Sequence, residues 1–178
     1  MVNMRAMALR EIKKYPDPVL KKKTAPVGAI NDDLCRLIDD MVETMHAAPG
    51  VGLAANQVGI PLQVAVIDIG SHEEDGKKHP LVVLINPEII SQEGAIVSEE
   101  GCLSVPDFTE KVKRAARVKV RAKDRAGKAF ELDADGLMAK ALQHEIDHLN
   151  GVLFIDRLSP IKKSIFRRKL KKTLMETT

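Results

Sequence analysis

The chain of 178 residues has no tryptophan, one tyrosine and four phenylalanines, so aromatic residues make up only 3% of it. Its core must therefore be built from Val, Ile, Leu, Ala and Met. Single-stranded nucleic-acid binders, which need aromatic rings as stacking platforms, are disfavoured. No apolar run approaches the roughly 20 residues that a membrane-spanning helix requires. The stretch from Met1 to Arg10 leads quickly into Glu11, Lys13 and Lys14, and it lacks the apolar segment and cleavage site of a secretory leader. The expectation is a cytoplasmic protein with no membrane and no DNA partner. Only two cysteines occur, Cys35 and Cys102. In a reducing compartment they form no structural disulfide. Cys35 falls at helical spacing and is expected to be buried as a small apolar residue.

What is present suits one compact domain: 44% apolar and 30% charged residues. The net charge of +3 is mild but uneven, with eight Lys or Arg and no acid between Arg157 and Lys172. Residues 16–28 hold Pro16, Pro18, Pro26 and Gly28 and read as irregular. Leu34, Leu37, Ile38, Met41, Val42 and Met45 recur at helical spacing, which predicts a helix from Asp32 to Ala48 capped by Asn31 or Asp32. A loop of small residues follows over 50–57. Strands are expected at 62–69 and 81–90, joined by a polar loop over 70–80, then a short one at 94–98, one through Val112, Val118, Val120 and Ala122, and one from Gly127 through Leu132. A second helix is predicted from Asp135 to Leu149, stopped by Gly151. Val152 to Ile155 reads as extended, and Pro160 opens a basic C-terminal helix. Helices and strands thus segregate along the chain, which points to an α+β fold with an antiparallel or mixed sheet.

One pentapeptide carries chemistry. In a helix, His144 and His148 lie one turn apart on the same face and can hold one metal ion, and Glu145 can reach a water beside it. A catalytic site needs a third protein ligand and an open position. The extended metalloprotease pattern would place a His at 154, where this chain has Phe154. Glu176 lies at the end of the basic tail, a poor place for a ligand. His46, His72 and His79 are more simply exposed or hydrogen-bonded. Cys102, after a strand and beside Gly101, is the better candidate. A thiolate with two imidazoles suits zinc, iron or cobalt.

Three segments in this order, Gly50-Val-Gly-Leu-Ala-Ala-Asn-Gln57, Glu100-Gly-Cys-Leu-Ser104 and Gln143-His-Glu-Ile-Asp-His148, resemble the three motifs of the bacterial peptide deformylase family. The resemblance runs from Tyr15-Pro-Asp-Pro18 to Leu158-Ser-Pro160. It implies a catalytic domain over 1–160, with sheets packed around a central helix carrying the His-Glu-x-x-His motif, and a basic helical tail over 161–178. It implies removal of formyl from the N-terminal formyl-methionine of new polypeptides, with release of formate. Cys102, His144 and His148 would then be metal ligands and Glu145 the general base and later acid. The Gln57 amide and the Leu103 backbone N–H would hold the developing oxyanion. Val51 and Gly52 would face the substrate main chain, with Gly101 in the Cys loop opposite. Glu100 is expected to pair with Arg114 beneath that loop.

The resemblance implies ferrous iron, one per chain, with nickel, cobalt or zinc able to replace it; ligand softness alone would favour zinc. Two positions depart from the family pattern. Lys140 stands where an apolar wall of the methionine pocket is expected, and Thr109 where an Arg near the substrate is common. The tail, with Lys162, Lys163, Arg167, Arg168, Lys169, Lys171 and Lys172, reads either as a solvated helix face or as a dock on ribosomal RNA near the nascent-chain exit. Two rival functions share parts of the pattern. A zinc peptidase would share only the His-Glu-x-x-His helix, and the absent downstream ligand argues against it. An inactive ribosome-associated protein would not need Gln57, Cys102 and Glu145 together.

Overall fold

The computed structural model describes residues 8–70 and 78–177. Most of the linker expected at 70–80, with His72 and Gly76, lies outside them, as does the stretch before residue 8. Helix α1 (Asp32–Ala47) forms where the apolar spacing places it. The Asn31 side chain accepts from the Leu34 N–H at 2.9 Å, and Asp32 and Asp33 complement the positive end of the helix dipole. Its apolar stripe, Leu34, Leu37, Ile38, Met41 and Met45, is buried. Cys35, off that stripe, is only half-buried.

Among the described residues seven strands follow: β1 (Gly52–Ala54), β2 (Val64–Ile67), β3 (Val82–Glu93), β4 (Ile96–Cys102), β5 (Val105–Arg114), β6 (Arg117–Lys123) and β7 (Ala129–Asp135). Strands β1-β2-β3-β6-β7 make one antiparallel sheet, and β4-β5 form a separate antiparallel pair. The fold is α+β, and of the two sheet types expected the antiparallel one is found. Strand β2 is covered on both faces. Val64 and Val66 join the α1 cluster, whereas Ala65 and Ile67 join the cluster of the second helix, as the two-residue period of a strand requires.

That second helix, α2 (Gly136–Leu149), packs Met138, Ala139, Leu142, Ile146 and Leu149 against the sheet. It stops at Gly151, whose φ of +73° is left-handed. A side chain there would also sit 2.5 Å from the Lys21 carbonyl oxygen, so the chain reversal admits only glycine. Helix α3 (Pro160–Glu176) is capped by Ser159 and buries Phe166. Phe166 joins a third cluster with Leu20, Val105, Val112, Leu153 and Phe154 beneath the β4-β5 pair. Four of the five aromatic residues, Tyr15, Phe108, Phe154 and Phe166, gather there. No helix among the described residues is long and apolar enough to cross a membrane.

Three local expectations differ from what forms. The small-residue loop contains strand β1 and a 3-10 turn, Ala55–Val58; pairing with β2 makes the strand, which its composition does not announce. The single strand expected through residues 112–122 is two strands in different sheets. The break comes at Ala115, whose backbone N–H and C=O are both taken by the Gln143 side chain of α2 at 3.0 Å. The extended piece at 152–155 ends in a 3-10 turn, Phe154–Arg157, closed by the Asp156 carboxylate accepting from the Leu153 N–H at 2.8 Å.

Candidate metal centre and its cavity

His144 and His148 lie one turn apart in α2. Both imidazoles project from one face of α2, and their Nε2 atoms lie 3.1 Å apart. Cys102, at the end of β4, brings its Sγ to 3.3 Å from His148 Nε2. The ligand atoms of Cys102, His144 and His148 all lie within 4.8 Å of one another, and no other such His, Cys or carboxylate group occurs among the described residues. Thus Phe154 contributes no ligand but a ring, stacked on His144 with centroids 6.3 Å apart.

Each ligand is held from behind. His144 Nδ1 is 2.9 Å from Glu100 Oε1, which fixes the ring so that Nε2 faces the cluster. Glu100 is gripped by Arg114 through two bonds of 2.8 and 2.9 Å, and both side chains are almost fully buried. The structure thus brings Glu100 and Arg114 together. The Cys102 sulfur accepts from the Ser104 N–H at 3.4 Å. Asn56 donates to the His148 carbonyl at 2.6 Å.

The electrostatics favour a cation between the ligands. Burial alone would strip His144 of its proton. The bonds to Cys102 and Glu100 and the charge of Glu145 outweigh it and raise its pKa to about 10. The neighbouring His148, desolvated and facing that positive charge, is pushed well below the usual range. A divalent ion fits this donor set, with soft sulfur and imidazole nitrogen.

Glu145 lies against β1. A side chain at Gly52 would come within 2.8 Å of the Glu145 carboxyl carbon, so the glycine makes the seat for this carboxylate. Glu145 Oε2 is buried and has no hydrogen-bond partner among the described residues. Burial pushes its pKa up to about 7, against the lowering influence of His144 and Arg114. Glu100, although also buried, is lowered to about 2 because Arg114 and His144 bond its ionised form.

A cavity of about 410 Å³ opens beside these groups. Gly50, Val51 and Gly52 line one wall, Gly101, Cys102 and Leu103 the other, and Leu137, Lys140, Ala141 and His144 of α2 the third. Gln57 also lines it. Its Oε1 accepts from the Ala54 N–H at 2.9 Å, which turns its NH₂ toward Ser104 Oγ at 3.1 Å and Cys102 Sγ at 3.6 Å. Lys140 keeps its stem on the cavity and donates to the Glu99 carbonyl at 3.1 Å. Thr109 bonds Glu99 instead, at 2.9 Å. His46 bonds Asp68 at 2.7 Å, away from the ligand cluster.

Sequence reasoning did not single out Asn56, Ser104, Asp147 or Arg157. Asp147 accepts from Arg114 at 2.6 Å and from Arg157 through two bonds of 2.6 Å. The one available signal was an acid inside the ligand helix next to a His; its basic partner ten residues on follows no helical or strand period.

Known proteins are similar to this chain in sequence and fold. The sequence profile of a family described as polypeptide deformylase matches residues 9–164. A peptide deformylase of Thermodesulfovibrio yellowstonii is 56% identical over 165 residues, covering 93% of this chain and 98% of that one. A crystal structure of a peptide deformylase from Legionella pneumophila superposes with a TM-score of 0.86 at 49% identity, over 96% of this chain and 98% of that one. A class I type b peptide deformylase from Acinetobacter baumannii, solved with Met-Ala-Ser bound, superposes with a TM-score of 0.81 at 37% identity, over 86% of this chain and all of that one.

Proposed function

The chain belongs to the polypeptide deformylase family, and from that premise we propose that it removes the formyl group from the N-terminal formyl-methionine of new polypeptides, releasing formate. The observation that carries this reading is the meeting of a Cys/His/His cluster, a buried carboxyl with a pKa near 7 and a side-chain amide donor on one cavity. Cys102, His144 and His148 would hold a divalent ion. When bound, such an ion polarises a carbonyl oxygen and makes water a better nucleophile near neutral pH.

The remaining work falls to side chains and backbone. Glu145, unpaired and poised near 7, takes the proton of the attacking water. The formyl oxygen gains negative charge, and Gln57 Nε2 and the Leu103 N–H donate to it; loss of one such donor typically costs about 100- to 1000-fold in rate. Glu145 then passes its proton to the leaving amine, the C–N bond breaks, and formate and a free amino terminus result. Val51 and Gly52 on one wall and Gly101 on the other would take the peptide main chain between them. The A. baumannii relative with Met-Ala-Ser bound supports a peptide of this size. Mass spectrometry of formyl-Met-Ala-Ser after incubation tests the reading. Intact, deformylated tripeptide is the expected product; unchanged peptide or cleavage between Met and Ala would contradict it.

The ion we assign is ferrous iron, with zinc, nickel or cobalt as replacements; equal turnover by zinc- and iron-loaded protein would refute the preference. The compartment we assign is the cytoplasm. We divide the chain functionally into a catalytic part over 1–160 and a basic helical tail over 161–178, the latter docking on ribosomal RNA near the nascent-chain exit. Within the tail, Lys162 pairs with Glu110 and Lys169 with the Asp107 carbonyl. Arg167, Arg168 and Lys171 stay exposed for a polyanion. Salt-sensitive co-sedimentation with ribosomes should be lost on reversing those three charges, and unchanged binding would refute the docking.

A further inference from the structure

The chain of bonds behind His144 does not end at Arg114. It continues through Asp147 to Arg157, whose side chain is 44% exposed, whereas those of Asp147, Arg114 and Glu100 are 13%, 1% and 2% exposed. The order from the ligand outward is His144, Glu100, Arg114, Asp147, Arg157, and the last four alternate in charge. Two carboxylates and two guanidiniums balance. Without Arg157, the buried Glu100 and the largely shielded Asp147 carboxylates would share the single guanidinium of Arg114.

That competition has a defined geometry. Arg114 spends Nε and Nη2 on Glu100 and only Nη1 on Asp147. Arg157 supplies Asp147 with a two-pronged grip, Nε to Oδ2 and Nη2 to Oδ1, each at 2.6 Å. Short, charged, bidentate bonds of this kind are the stronger ones. An isolated exposed ion pair contributes little. This one acts on shielded partners, where Coulomb interactions are less screened. The 3-10 turn Phe154–Arg157 that carries Arg157 also carries Phe154, stacked on the His144 ring.

We propose that Arg157 is a positioning residue for the metal centre: by neutralising Asp147 it leaves Arg114 committed to Glu100, and Glu100 thereby keeps the His144 ring aimed at the ion. The proposal rests on the reading of Cys102, His144 and His148 as metal ligands, and not on the reaction that follows.

Its test is metal retention. Full-length protein loaded with cobalt(II) is mixed with excess EDTA, and cobalt loss is followed by the visible absorption of the bound ion. Because partners behind a metal ligand are typically worth about 10- to 100-fold in affinity, Arg157→Gln should lose cobalt about tenfold faster and shift the absorption band. Arg157→Lys, which keeps the charge but not the fork, should fall between it and the unsubstituted protein, at about threefold. In an Asp147→Asn background, where no charge needs neutralising, neither substitution should change the rate further. Unchanged cobalt loss in Arg157→Gln, or the same acceleration with and without Asp147→Asn, would overturn the proposal, since packing alone would give the latter. Should Arg157→Gln fail to fold, the Arg157→Lys pair carries the same comparison. Failure of the unsubstituted protein to bind one cobalt would refute the ligand reading itself, whereas absent formate release would leave cobalt retention to be read independently.

Discussion

Glu100 and Glu145 show how neighbours decide a carboxyl's work. Both flank His144 and both are buried, yet one is lowered to about 2 and the other raised to about 7. Glu100 is bonded by Arg114 and His144; Glu145 has burial without a matching partner. The first suits permanent negative charge behind a ligand, the second suits proton transfer near neutrality. Since Glu145 must be ionised to accept a proton, kcat/KM should fall on the acid side with a midpoint near pH 7. Replacing it, Glu145→Gln, should lower kcat by about 100-fold or more, remove that acid limb from the residual activity and leave metal content unchanged. Metal loss instead would make Glu145 a ligand. His144, Glu145 and His148 were legible from their spacing, and Cys102 from Phe154 standing where a downstream ligand would. The opposed pKa values were not, because they depend on Gly52 and Arg114, which arrive from β1 and β5.

At the scale of elements, α2 is the part on which the site is registered. Its start and stop were readable from apolar spacing and Gly151, as was the start of α1 from Asn31. Strand β1 and the break between β5 and β6 were not, since the first is made by pairing with β2 and the second by the Gln143 amide. Such long-range bonds leave no local period. Gly151 holds the end of α2 against the segment at Lys21. Gly151→Ala combines a left-handed φ with a backbone overlap, so it should destabilise the fold by about 2 kcal/mol or more, seen as a lower urea midpoint with unchanged slope. A midpoint equal to that of the unsubstituted protein would show that the turn tolerates a side chain.

Across the whole molecule, His144 and His148 project from α2, which packs on one core cluster, while Cys102 comes from the β4-β5 pair, which packs on another. An ion held by all three would cross-link those layers. Its removal by chelation should lower Tm, because a ligand at about 1,000 times its Kd stabilises the folded state by about 4 kcal/mol. Amide exchange should then quicken most in β4 and β5 and least in β2; uniform quickening would argue against a local cross-link. The fold class was legible from the order of segments, while the split into two antiparallel sheets required the pairing itself. Deformylation by Glu145 at this site is tested most directly by the yield of formate and of free α-amine from formyl-Met-Ala-Ser, compared between the unsubstituted protein and Glu145→Gln at equal metal content. Equal molar amounts of the two products are expected from the unsubstituted protein, with a near-total loss of both in the variant. Undiminished formate from the variant, or amine released without formate, would contradict it.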